Sequence, residues 1–299
     1  MSMLALGLLF GAVTLLVMFS GAPIAFALGS VGVIFMYGFM PESALDTVAQ
    51  NVYEEMASIT LLSIPLFILK GAAIGKSRAG QDLYAALHVW MNKLPGGLGI
   101  ANVFACALFA AVSGSSPATV VAIGSVILPA MVKQGFPNKF GAGILTTSGS
   151  LGILIPPSIA MVMYSVSTNT SVGAMFIAGV VPGLMLAACL GFTTWYIARK
   201  NNYPRLARAN WGARFQAFRK SFWGLLLVVI IVGGIWSGAF TATEAAAMAA
   251  VYSFFVAIFV YKDLKLSDVP RVLLASANMS AMLLYIITNA VLFSFVLAN

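Results

Sequence analysis

Charge is scarce in this chain. Of its 299 residues only 8% are Asp, Glu, Lys or Arg, where soluble domains carry about 25%. With 61% of the residues hydrophobic, the polar side chains cannot cover a soluble body of this size, so much of the surface must face lipid. Acids are the rarer sign, eight against sixteen Lys and Arg. Histidine occurs once, at His88, and cysteine twice, at Cys106 and Cys189, both inside apolar stretches. That inventory excludes a disulfide framework and Cys/His metal-ligand spacing. It also leaves little for acid–base catalysis, and neither a nucleophile–base pair nor a Walker-type phosphate loop is present. The residues do not read as an enzyme. The net charge of +8 does not imply nucleic acid either. The basic residues fill short gaps between apolar runs, the pattern of loops held on one side of a membrane.

What the chain does have is long apolar runs. A bilayer core needs roughly 20 apolar residues per helix, and only helices or closed barrels satisfy the backbone there. The runs are continuous, not alternating, so they predict helices. Spans are expected at Leu4–Phe19, Ile24–Phe39 and Ile59–Ile74, followed by a polar-faced helix over 81–92. Apolar halves at Gly97–Val112 and Pro117–Val132 precede an interrupted span over 138–168, and further spans follow at Val172–Ala198, Phe222–Ser237, Ala242–Tyr261 and Val272–Ala298. The first run lacks a basic leader and a clean cleavage site, so it reads as a mature helix and not a signal peptide. The turn Ser20-Gly21-Ala22-Pro23 is very short. Two spans are the preferred reading, with one long tilted helix as the alternative that so short a turn allows.

Loop charge sets the expected orientation. The stretch 199–221 carries Arg199, Lys200, Arg205, Arg208, Arg214, Arg219 and Lys220 without an acid, which places it in the cytoplasm. Lys76, Arg78, Lys93, Lys133, Lys139, Lys262 and Lys265 then fall inside, and Glu42, Asp46, Glu54, Glu55 and Asn169 outside. The segment 97–132 either enters and returns as a re-entrant hairpin or crosses twice, since both paths sort the charges equally. Its polar tip, Ser113-Gly114-Ser115-Ser116, favours the hairpin. Trp90, Trp195, Tyr196, Trp211, Phe215, Phe218 and Trp223 flank basic residues as an interfacial belt. The helix over 81–92, which carries His88, reads as an amphipathic arm on the cytoplasmic surface. Lys70, near the inner end of its span, is expected to extend its amine to the interface.

Ser20-Gly21-Ala22-Pro23 and Ser237-Gly238-Ala239-Phe240 each end one span and begin another, with opposite expected topology. This is the pattern of inverted repeats in secondary transporters. The first repeat would cover 1–198, the basic loop 199–221, and a second, incomplete repeat 222–299. By symmetry roughly 110–140 further residues would complete it.

Two segments break the helical pattern at membrane depth. At 111–119, glycine loosens the backbone and Pro117 suits a new first turn. Serines there can cap a half-helix whose positive end suits an anion, while the carbonyls ending the preceding half suit a cation. At 146–158, two prolines and two glycines should unwind the span. Freed carbonyls and the hydroxyls of Ser148, Ser150 and Ser158 would then offer the neutral oxygens a hard cation such as sodium needs. Close packing and kinking are the competing account of such residues, and they account for Gly173, Gly179, Pro182, Gly183 and Gly191. Glu244 either takes part in coupling or caps its helix through Thr241 or Thr243. With so few catalytic groups, energy would have to come from an ion gradient.

These segments, with Gly21-Ala22-Pro23-Ile24-Ala25-Phe26, Ile64-Pro65-Leu66-Phe67-Ile68-Leu69, Ala110-Ala111-Val112-Ser113-Gly114-Ser115-Ser116-Pro117-Ala118-Thr119, Gly149-Ser150-Leu151-Gly152-Ile153-Leu154-Ile155-Pro156-Pro157-Ser158, Phe176-Ile177-Ala178-Gly179-Val180-Val181-Pro182-Gly183 and Thr241-Ala242-Thr243-Glu244-Ala245-Ala246-Ala247, resemble the large membrane subunit of tripartite ATP-independent periplasmic (TRAP) transporters. The likeness runs through essentially the whole chain. It implies an all-α, multi-span elevator-type fold in the bacterial inner membrane. It also implies sodium-coupled uptake of organic acids such as sialic acid or C4-dicarboxylates. A periplasmic binding protein would deliver the acid, and a small four-helix membrane subunit would brace the scaffold. Carried over residue by residue, Ser113, Gly114, Ser115, Ser116, Pro156, Pro157 and Ser158 become candidate substrate contacts. Ser113, Ser115, Ser116, Thr119, Ser148, Gly149, Ser150 and Gly152 become candidate sodium ligands, with no organic cofactor implied. The sequence departs from the family at Lys70, usually a small residue, and at Ala242, commonly proline. The family's second hairpin and second broken helix are absent. A stand-alone divalent-anion/sodium symporter and a non-transporting structural subunit are the alternatives.

Overall fold

The computed structural model describes residues 2–41, 43–168, 170–203 and 209–298. Glu42, Asn169, Arg205 and Arg208 lie outside the described residues, as do the side chains of Asp46 and Glu55. Fifteen α-helices follow in order: α1 Met3–Phe19, α2 Ile24–Phe39, α3 Ser43–Met56, α4 Ser63–Gly75, α5 Ala79–Met91, α6 Gly97–Ser113, α7 Ser116–Lys133, α8 Asn138–Gly149, α9 Leu151–Leu154, α10 Ile159–Ser167, α11 Val172–Lys200, α12 Trp211–Val228, α13 Gly234–Trp236, α14 Ala242–Phe255 and α15 Val269–Ala298. Among the described residues, five helical stretches are long and apolar enough to cross a membrane, or up to seven if each bent pair counts as one span. The helices form two compact units, Met1–Leu61 with Asn278–Asn299, and Leu62–Ala277.

In the first unit α1 and α2 form an antiparallel pair. Gly21 takes a left-handed φ of +83° at the turn and Pro23 stands just before α2, conformations these residues adopt without strain. Two helices form here, the preferred reading, and not one long helix. Phe10 meets Phe35 edge-on at 4.8 Å and Phe293 at 4.7 Å, with Val31 buried beside them. Leu4, Leu8, Leu15, Leu16 and Phe19 remain exposed, an apolar face suited to lipid. The helix α3 was not expected, because its sequence, Ser-Ala-Leu-Asp-Thr-Val-Ala-Gln-Asn-Val-Tyr-Glu-Glu-Met, is too polar to read as a span. One 3-10 turn, Ile59–Leu62, precedes α4.

The second unit is built around α6, of which all but Phe104 and Leu108 is buried. The helices α4, α5, α7, α8 and α11 surround it. α4 lies against α14 through Ala245, Ala246, Ala249 and Ala250, all buried, since small residues let helix backbones approach closely. The helix expected over 81–92 is α5, and its buried face, including Leu83 and Tyr84, packs against α6 and α12. His88 is stacked on Tyr84 with ring centres 5.6 Å apart, and burial pulls its pKa below the ordinary histidine value. Arg214 lies over both Trp90 and Trp211, at 5.2 and 5.0 Å, and Arg199 lies over Trp195 at 5.4 Å. Aromatic residues flanking the basic loop thus hold Arg199 and Arg214. Arg78 joins the start of α5 to Asp263, after α14, through a 2.9 Å ion pair and a 2.8 Å bond from its own backbone N–H.

Glu244 caps α14. Thr241 donates its backbone N–H and its hydroxyl to the Glu244 carboxylate, both at 2.8 Å, and Thr241 Oγ1 accepts from Glu244 N. That arrangement is a capping box.

Candidate functional site

The first interruption forms where expected. α6 ends at Ser113, Gly114 turns left-handed at φ +72°, and Ser115 is extended before α7 begins at Ser116 with Pro117 in its first turn. Only glycine adopts such a φ without strain, and proline loses nothing at a helix start. The tip ties itself together. Ser113 Oγ lies 3.0 Å from Thr119 Oγ1, which donates to Ser115 O at 2.8 Å. Ser113 and Thr119, expected as ligands, therefore already brace the loop with their hydroxyls.

The second interruption has two parts. A turn at Ser150 separates α8 from the short α9, and the main break, Ile155–Ser158, is non-helical before α10, across a bend of 42°. Gly149 and Gly152, on either side of that turn, also pack closely against the start of α7. A methyl group on Gly152 would lie 2.9 Å from Ser116 Oγ and 3.0 Å from Ser116 N, and one on Gly149 would collide with Val120. The break comes from Pro156 and Pro157, whose mutual peptide bond is cis. Proline has no N–H, so the carbonyls of Gly152 and Ile153, four residues upstream, have no helical donor.

The two interruptions meet. Ile159 N donates to Gly114 O at 3.5 Å, and a methyl on Gly114 would sit 3.0 Å from Pro157 O. The N-termini of α7 and α10 both begin at this junction, so two positive helix ends lie at it. Ser116 Oγ and Ser158 Oγ are buried there without a hydrogen-bond partner. On the far side, α11 supports the break. Methyl groups on Gly179 and Gly183 would lie 2.7 Å from Leu154 O and 2.9 Å from Ile155 Cγ1, the packing role expected of those glycines.

Two expected ligand hydroxyls lie elsewhere. Ser148 Oγ accepts from Asn102 Nδ2 at 3.2 Å and donates to the Ile144 carbonyl. Asn102 stands about three turns of α6 before the tip, so this hydroxyl clasps α8 to α6. Ser150 is exposed and donates back to Thr147 O at 2.7 Å. Among the expected set, Ser113, Gly114, Ser115, Ser116, Thr119, Gly149, Gly152, Pro156, Pro157 and Ser158 form or adjoin the junction.

Lys70 corrects the sequence reading most sharply. It does not reach for the interface. Its relative exposure is 0%, and its Nζ lies 3.7 Å from a methyl built on Gly114 and 5.0 Å from the centre of the Phe67 ring. No acceptor meets it. The neighbouring Gly71 explains the approach, since a methyl there would press to 2.5 Å from Ser113 O. A glycine beside a lysine in an apolar span was the available signal, but only the packing of α4 on the hairpin tip gives it meaning.

Among the described residues no three His, Cys, Asp or Glu side chains cluster to hold a metal. What converges at the junction is hydroxyls, carbonyls, two helix N-termini and one ammonium, a polar set deep inside apolar helices.

These features define a multi-span α-helical membrane transporter. Residues 11–299 match the family described as the tripartite ATP-independent periplasmic transporter, DctM component. The chain belongs to that family and is a multi-pass protein of the bacterial inner membrane. It is 56% identical to the C4-dicarboxylate TRAP transporter large permease protein DctM of Rhodobacter capsulatus, over 94% of this chain and 67% of that protein. It is 50% identical to the protein of the same name from Pseudomonas aeruginosa, over 91% and 64%. It is 31% identical to the sialic acid TRAP transporter large permease protein SiaM of Vibrio cholerae, over 98% and 68%. The chain thus spans about two thirds of the length of these relatives.

Proposed function

We propose that this chain carries the first ion and substrate half-site of a large permease that couples inward sodium flow to uptake of a small organic acid. The meeting of the two interruptions supports this. Unpartnered Ser116 and Ser158 hydroxyls and the proline-freed Gly152 and Ile153 carbonyls provide neutral oxygens for sodium. The converging N-termini of α7 and α10 favour an adjacent carboxylate. Sodium is cargo here, and its gradient supplies the driving force. Relatives at 56% and 50% identity are named for C4-dicarboxylates and one at 31% for sialic acid, which favours a dicarboxylate. In this reading α6 and α7 form a re-entrant hairpin and residues 1–198 and 222–299 belong to inverted repeats moving elevator-fashion. The partners are a small four-helix membrane subunit and a periplasmic binding protein that delivers the acid.

The test is uptake by the full-length permease in proteoliposomes with both partners. Replacing Ser116 and Ser158 together by alanine should lower sodium-driven succinate uptake at least about tenfold, as losing buried hydrogen-bond partners does. It should also raise the sodium concentration needed for half-maximal rate. Unchanged sodium dependence in that variant would remove the site from this junction. Omitting the binding protein should abolish uptake, and full uptake without it would favour a stand-alone symporter.

A further inference from the structure

The sodium and carboxylate chemistry proposed above gives Lys70 no role, yet its side-chain nitrogen lies at that junction. It is fully buried, faces Gly114 at the hairpin tip and meets no acceptor. An unpaired charge away from water is strongly unfavourable, and an ionisable side chain inside a membrane span marks a functional position. The described acids do not offer it a partner. Glu244 is held in the α14 capping box, Asp263 pairs with Arg78, and Glu54 accepts from Gln50. Asp82 lies on α5 near Arg78 and Lys220. Among the described residues nothing supplies a counter-charge to Lys70, and an anionic ligand at the junction would supply one.

We propose that Lys70 determines the charge of the substrate, selecting acids with two carboxylates over acids with one. The proposal rests on the reading above, in which sodium and the acid share the junction. A sodium ion and the Lys70 ammonium bring two positive charges to a place where no described carboxylate of the protein lies. A dicarboxylate brings two negative charges, one beside sodium and one beside Lys70, and the closed site is then neutral. A monocarboxylate leaves one positive charge uncompensated in a low-dielectric surrounding, where such an imbalance is expensive. The lysine head is a compact point charge with three donors and suits a single carboxylate oxygen. The Ser116 and Ser158 hydroxyls donate to the same ligand.

Succinate and its monoamide, succinamate, share length and shape and differ by one charge. Binding of each, in sodium buffer, is measured calorimetrically on the full-length permease purified with its membrane subunit. The wild-type protein should prefer succinate by at least about thirtyfold, the lower range for removing one partner of a buried charge pair. K70M should lose that preference while still binding succinamate, and K70R should retain part of it. Equal binding of the two ligands by the wild-type protein overturns the proposal without need of any variant, so a misfolded K70M does not shelter it. A K70M protein that keeps the full preference also overturns it. If the double Ser116→Ala, Ser158→Ala variant loses binding while K70M keeps the wild-type ratio, only the role of Lys70 falls. If that double variant binds both ligands as before, the junction itself is not the site, and both readings fall together.

Discussion

Glycine here acts through space, not only through freedom. At Gly71, Gly149 and Gly152 the α-carbon is pressed against backbone or side chains of the hairpin, and no larger residue fits without movement. Gly152 is the most telling, because its neighbour Ser116 contributes both a backbone nitrogen and an orphan hydroxyl. Gly152→Ala should therefore push the start of α7 away from the break. Overpacking of this kind costs about 1–3 kcal/mol. The expected outcome is a lower melting temperature in detergent together with reduced uptake. A G152A protein with wild-type stability and uptake would show that the contact is not tight in solution. At the same level, Asn102 is silent in the sequence because a lone Asn in an apolar run carries no spacing signal. Its partner Ser148 lies 46 residues away, and only the fold pairs them.

Helices in this chain are ended and joined by recognisable chemistry. Left-handed Gly21, Gly114 and Gly238, prolines at or just before helix starts, and the Thr241–Glu244 capping box each mark a boundary that could be read from the residues. The link between the start of α5 and the segment after α14 could not, since Arg78 and Asp263 are far apart in sequence. Two groups of Arg78, its guanidinium and its backbone N–H, hydrogen-bond the Asp263 carboxylate and hold its pKa below the ordinary value of 3.8. A carboxyl with a lowered folded-state pKa contributes stability fully above its unfolded value of about 3.9, and that contribution fades as pH falls through the folded value. Melting temperature measured from pH 7 down to pH 3 should therefore decline at the acid end with a part that Asp263→Asn removes. Because the pair is partly exposed, the effect should be modest and should shrink with added salt. Identical acid profiles for D263N and the parent protein would exclude this contribution.

Taken together, the described helices present a broad apolar exterior, with aromatic residues and arginines gathered beside the basic loop. Asymmetric placement of Lys and Arg predicts the orientation in the bilayer. In a variant lacking Cys106 and Cys189, a cysteine at exposed Gln216 should react with a membrane-impermeant maleimide only when the cytoplasmic face is open to the reagent. Labelling of intact cells at that position would reverse the orientation.

Composition and local pattern alone determined that this is a multi-span helical membrane protein, because apolar runs of sufficient length leave no other way to satisfy a backbone in lipid. The residues also located both interruptions, since proline and glycine act on the backbone where they stand. Tertiary structure decided which of those residues unwind a helix and which admit a neighbour, because glycine does either according to what packs on it. It also decided where a long side chain goes. Lys70 reads as a residue reaching for water until α4 is laid against the hairpin tip, and only that contact between distant segments turns its charge inward.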